Sequence, residues 1–256
     1  MIWTYDLDPV ALDLGFAQIR WYGVFYAVAF MLGFFWLKAW SRRKLVNFST
    51  QQIEDLIFAV ILGVILGGRL GHFLFYDPSS LFSLEIFKIW HGGMSFHGGL
   101  IGVLLAVGWL AHKWRRNFLE LTDVIVIPAS VGLFFGRLGN FINGELIGRA
   151  TDGAWGVIYP NFDEIPRYPS QLFEAGKNLL IAGILYVAFR IRARRGTISF
   201  LFILLYGLGR TLVELLWREP IDGFILGIPK GAVYSIPVFL AGVIGVLWIS
   251  RKGKNS

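Results

Sequence analysis

The chain contains no cysteine, and only 16% of its 256 residues are charged. The first absence excludes disulfides, Cys-ligated metals and an enzyme thiol nucleophile. The second excludes an ordinary soluble domain, in which about a quarter of residues carry charge. Histidine is scarce, with four in the chain. No His, Asp or Glu cluster stands at metal-ligand spacing, so neither a metal site nor a cofactor is expected. The N-terminus also lacks the positive n-region of a cleavable signal peptide. Asp6, Asp8 and Asp13 precede the first apolar run, which therefore reads as a retained helix.

What remains is hydrophobic, 55% of the residues, arranged in blocks of about 20, the length that crosses a hydrocarbon core. The expected fold is all-α: a polytopic integral membrane protein with seven transmembrane helices and a small outward-facing head, forming a single transmembrane enzyme domain over residues 1–256. The spans are expected at about 19–40, 53–76, 94–112, 121–139, 170–190, 197–217 and 235–250. Residues 1–18 read as an amphipathic lead-in, and Ser49 or Thr50 as the N-cap of the second helix. Residues 81–91 are too short to span and are expected along the interface. The head, residues 140–169, is rich in Gly, Pro, Asp and Asn, with short strands or turns expected around Trp155 to Tyr159.

The net charge of +7 could suggest a nucleic-acid partner, but the basic residues fall in short clusters between apolar blocks. Clusters follow spans one, three, five and seven: Arg42-Arg43-Lys44, Lys113 with Arg115 and Arg116, Arg190 with Arg192, Arg194 and Arg195, and Arg251-Lys252 with Lys254. They hold 13 of the 24 basic residues. The positive-inside rule makes that side cytoplasmic, with the N-terminus outside and the C-terminus inside.

Against this apolar background, polar residues toward the outer half stand out. Gly136-Arg137-Leu138-Gly139-Asn140-Phe141-Ile142-Asn143-Gly144-Glu145 places an arginine, two asparagines and a glutamate at the end of the fourth span. An ionisable group there marks a functional site; the alternative is an arginine snorkelling to headgroups. On the sixth span Tyr206, Arg210, Glu214 and Arg218 are spaced by four and form one stripe. That stripe could be a self-satisfied Arg210–Glu214 pair, but two arginines at similar depth suit phosphate oxygens. His97 lies among four glycines, as either an accessible base or a structural hydrogen-bonding group. Gly68-Arg69-Leu70-Gly71 echoes the arginine motif. This makes Arg69 a secondary candidate for the anionic site, against the alternative of small-residue helix packing.

These segments resemble those of bacterial prolipoprotein diacylglyceryl transferases. The resemblance is carried by GRLGNFINGELIG (136–148), HGGMSFHGGLIG (91–102), WYG (21–23), RYPSQLFE (167–174) and GLGRTLVE (207–214), in order over nearly the whole chain. Phe173 and Tyr168 depart from the pattern, the interval from Glu214 to Arg218 is one residue longer, and the 140–169 head is short. The resemblance implies transfer of the diacylglyceryl group of phosphatidylglycerol to the lipobox cysteine of a prolipoprotein signal peptide. A thioether forms and glycerol 1-phosphate leaves. It implies the bacterial cytoplasmic (inner) membrane, with no nucleic-acid partner.

Under that resemblance His97 is the base. A thiol pKa of about 8.5 against about 6.5 for imidazole leaves a mismatch of about 3 kcal/mol. Arg137 and Arg210 hold the phosphate and stabilise the developing charge. Asn140, Asn143 and Glu145 orient the headgroup or Arg137. Tyr22 and Tyr206 hydrogen-bond the lipid or the arginines, and Glu214 fixes Arg210. The competing readings are a phospholipid headgroup transferase acting at phosphorus, a lipid or anion transporter, and a structural membrane subunit. A covalent product separates the transferases from the last two.

Overall fold

A computed structural model describes residues 1–252 except 17, 82, 89–91 and 222, with Lys252 described in its backbone alone. His91 of the glycine-rich motif, parts of the 81–91 segment, Asp222 in the second connector, and Gly253 and Lys254 of the tail lie outside the described residues. Among the described residues, seven helices are long and apolar enough to cross a membrane: α1 (Trp21–Arg42), α2 (Thr50–Phe75), α3 (Phe96–Lys113), α4 (Phe118–Ile142), α5 (Ser170–Arg190), α6 (Thr197–Leu216) and α7 (Lys230–Lys252). The expected all-α polytopic fold is therefore the observed one. Packing divides the chain into two compact units, Leu32–Val124 and Met1–Met31 with Ile125–Ser256.

In the first unit α2 and α3 touch backbone to backbone. A Cβ on Gly63 would lie 2.8 Å from the Gly102 carbonyl carbon, and one on Gly71 would lie 2.6 Å from the Gly98 Cα. Glycines four apart on both helices permit this approach, which gives apolar helices dispersion contact that lipid cannot supply as well. Ser49 caps α2 in a capping box with Gln52. Ser95 caps α3, and its own N–H donates to the Gly68 carbonyl at 2.9 Å. The described part of the 81–91 segment holds a 3-10 turn, Leu84–Phe87.

In the second unit α6 and α7 are similarly close: a Cβ on Gly207 would lie 2.5 Å from the Phe239 nitrogen. α7 begins at Lys230, five residues before the sequence expectation, because Ile225-Leu226-Gly227-Ile228 turns tightly. Leu226 and Gly227 both have positive φ, the geometry of a two-residue hairpin. Short strands lie within the lead-in. β1 (Ile2–Thr4) pairs in parallel with β4 (Gly156–Ile158), and β2 (Val10–Asp13) pairs antiparallel with β3 (Gln18–Arg20). The strand expected around Trp155 to Tyr159 is β4. Ile147, Val157 and Tyr159 form the core of this head, with Tyr5 and Phe141 packed against it. The Arg167 guanidinium, bonded to Asp163 and Glu219, ties the loop before α5 to the connector after α6. It also holds the Asp163 carboxyl below the usual carboxylate range.

Candidate active site

The site is built from the end of α4 upward. Gly144 has φ +65°, and the N–H groups of Gly144 and Glu145 donate to Phe141 and Asn140 at 3.1 and 3.0 Å. This is a Schellman closure, whose left-handed position glycine takes without strain. The sequence Asn-Phe-Ile-Asn-Gly-Glu thus ends the helix and folds Glu145 back over its last turn. Glu145 accepts from Asn140 Nδ2 and Asn143 Nδ2, both at 3.1 Å. Asn140 Oδ1 in turn accepts from Arg137 Nη1 at 3.2 Å. The side chain of Asn140 therefore links Glu145 to Arg137. Gln171 Nε2 and Ser170 Oγ donate to the carbonyls of Glu145 and Leu146 at 2.5 and 2.8 Å, pinning the turn to the start of α5.

Three helices then meet on one carboxylate. Glu174 on α5 receives Arg210 Nη1 on Oε1 at 2.8 Å, and Arg137 Nε and Lys177 Nζ on Oε2 at 3.3 and 3.1 Å. Arg210 also pairs with Glu214, which accepts from Arg218 Nε at 3.2 Å. Gly231 at the start of α7 makes room for Glu214: a Cβ there would lie 2.6 Å from its Oε1. Arg149 donates to the main-chain carbonyls of Arg218 and Glu214 at 3.0 and 3.3 Å, holding the end of α6. Burial, and then the like charge of Arg210, push the Arg218 guanidinium down to about 10, still charged at neutral pH.

Exposure sorts the charges. The Glu174 and Glu214 side chains are 2% and 5% exposed, whereas those of Arg137 and Arg210 are 17% and 16% exposed. The carboxylates sit behind and the cations in front, so a ligand entering here meets positive charge. The cluster can hold an anion and stabilise charge that develops on it.

The structure thus brings together Arg137, Asn140, Asn143, Glu145, Tyr206, Arg210 and Glu214, with Tyr206 lying under the Lys177 ammonium at 4.4 Å. Tyr22 packs on Gly139, where a Cβ would lie 2.6 Å from its ring, and its hydroxyl is 3.3 Å from that of Tyr26. His97 belongs to the other unit. It lies in the first turn of α3 just past the Ser95 cap, exposed and edge-on to Phe96. Arg69, in that same unit, is 5% exposed. It donates to the carbonyls of Glu85, Ile86, Lys88, Gly92 and Gly93. Those acceptors occupy its guanidinium, and its flanking glycines serve helix packing.

Glu174, Lys177 and Arg149 carry weight that the sequence reading did not assign. A signal was present: Gln171, Glu174 and Asn178 share one face of α5 and are each 1% exposed.

A sequence model of the prolipoprotein diacylglyceryl transferase family matches residues 9–248. The chain belongs to this family. It is 43% identical to the phosphatidylglycerol–prolipoprotein diacylglyceryl transferase of Pseudoalteromonas atlantica, over 97% of this chain and 91% of that protein. Identity is 44% to the enzyme of that name from Nitrosomonas europaea, over 96% and 91%. It is 42% to that from Geobacter sulfurreducens, over 96% of both chains. As a prolipoprotein diacylglyceryl transferase family member, the chain fills its two departing positions with an aromatic cluster. Trp155 meets Tyr168 at 5.4 Å, and Phe173 meets Trp217 at 5.1 Å, both edge to face.

Proposed function

We propose that this chain transfers the diacylglyceryl group of phosphatidylglycerol to the lipobox cysteine of a prolipoprotein. The observation that carries the reading is the cationic front of the Glu174 cluster, in a family whose named members act on these two substrates. The transporter alternative has no such support.

In this reading the lipid phosphate lies against Arg137 and Arg210. His97 takes the proton of the substrate thiol. The thiolate attacks the glyceryl carbon that bears the phosphate, a C–S bond forms, and the C–O bond breaks with its electron pair on the bridging oxygen. Glycerol 1-phosphate leaves, its charge rising from one negative unit to two, and two guanidiniums in a water-poor site stabilise that rise. Asn140, Asn143 and Glu145 keep Arg137 in place, and Glu214 keeps Arg210. Tyr22 and Tyr206 serve as hydrogen-bonding groups at the headgroup. Arg69 holds the connector that precedes α3, and so supports the His97 turn rather than the phosphate. The membrane is the bacterial cytoplasmic one, with the N-terminus and head outside, the C-terminus inside, and both substrates entering laterally from the bilayer.

The test is a mass spectrum of a synthetic lipobox peptide incubated with the purified chain and phosphatidylglycerol. Gain of one diacylglyceryl group on cysteine, lost when the cysteine is serine, supports the reading. No gain with folded protein overturns it.

A further inference from the structure

We infer that Lys177 is a third cation of the headgroup site, reaching a non-bridging phosphate oxygen of the lipid donor beside Arg137 and Arg210. This rests on the transferase reading above. The first support is charge. Arg137, Lys177 and Arg210 share one carboxylate, Glu174, while Arg210 and Arg218 share the other, Glu214. Four cations on two carboxylates leave two positive charges uncompensated. The neighbouring Glu145 and Arg149 add one charge of each sign and do not alter that excess. An ion network serving structure alone would be balanced, because unpaired charge is costly where water is scarce. An excess of two matches a ligand whose phosphate passes from one negative charge to two as it leaves.

The second support is geometry. The Lys177 side chain is 11% exposed against 2% for its partner Glu174, so it is the more reachable of the two. Its stem is given space: a Cβ on Gly209 would lie 2.5 Å from Lys177 Cδ and 2.9 Å from Cγ. Glu174 takes one of its three donors at 3.1 Å, and the Tyr206 ring supports the cation from 4.4 Å. A donor remains for a phosphate oxygen. Because the phosphate gains charge in the reaction, this contact strengthens toward the transition state and is expected to act on kcat more than on KM.

The test is product inhibition by glycerol 1-phosphate in the transfer assay, using the full chain in detergent. Lys177→Met should weaken that inhibition about tenfold or more. It should lower kcat by a similar factor and move KM for phosphatidylglycerol by less than about threefold. Lys177→Arg should restore most of the inhibition. If Lys177→Met fails to fold, Gly209→Ala displaces the Lys177 stem with every charge retained and should weaken inhibition in the same sense. Unchanged inhibition in a folded variant of either kind overturns the proposal. A wild type that transfers nothing counts against the transferase reading itself. Calorimetric titration with glycerol 1-phosphate then decides Lys177 separately: loss of binding in the variant supports the assignment, and equal binding ends it.

Discussion

Arg137 on α4 and Arg210 on α6 grip opposite oxygens of one carboxylate, Glu174, at 3.3 and 2.8 Å. Neither arginine can shift without unbalancing the other, so the spacing of the two guanidiniums is set by a residue that is itself out of reach of a ligand. Glu174→Gln should keep the seven spans, since their apolar faces are unchanged. It should cost about 3–5 kcal/mol of stability, because three cations lose their shared partner. Thermal unfolding in micelles checks this; a change under about 1 kcal/mol would mean that solvent already screens the cluster.

Arg137→Lys retains the charge and loses the planar fork. Transfer should fall about 100-fold or more, the scale for removing one donor to a developing anion, with the unfolding midpoint little changed. Normal turnover would mean that charge alone is needed at this position.

Asn140 is an acceptor toward Arg137 and a donor toward Glu145, a pairing that its amide provides and a carboxylate cannot. Asn140→Asp keeps the acceptor and sets two carboxylates face to face, so activity should drop steeply. Adding Glu145→Gln returns a donor to the second contact and should recover most of the loss. A double-mutant cycle with no coupling would show that the relay does not matter.

His97 stands exposed at the first turn of α3, free to meet a substrate thiol. His97→Gln should lower kcat about 100-fold or more, with KM for phosphatidylglycerol little changed. Near-full activity in the folded variant would assign the proton to water.

Asn178, one turn beyond Glu174, is 1% exposed, and neither its amide nitrogen nor its oxygen has a partner among the described residues. Asn178→Leu should therefore raise stability by about 1–3 kcal/mol, the scale of the penalty for burying such a group, with transfer unaffected. A drop in stability would reveal a bound water that satisfies the amide.

Much of the fold was legible because the bilayer demands it. Apolar blocks with basic ends mark each span, and α5, expected at 170–190, is Ser170–Arg190. β1 was not legible: three residues pair with β4, some 150 residues away, and so short a strand leaves no local period. The stripe Tyr206, Arg210, Glu214 and Arg218 could be read on one helix. The polar face of α5 that carries Glu174 was legible from the spacing of Gln171, Glu174 and Asn178; its contacts from α4 and α6 were not, because spacing along α5 does not encode them. The likeness of the Arg69 segment to the Arg137 motif did not reveal its contacts: the nearby Gly71 meets α3 and the guanidinium donates to carbonyls of the connector.

The most direct test of the account follows the bridging oxygen. Phosphatidylglycerol carrying heavy oxygen between the diacylglyceryl carbon and phosphorus is incubated with the chain and a lipobox peptide, and both products are weighed. Attack at carbon, with Arg137 and Arg210 holding the departing phosphate, predicts all of the label in glycerol 1-phosphate and none in the lipidated peptide. Label retained on the lipid, or phosphate found on the peptide, would contradict it.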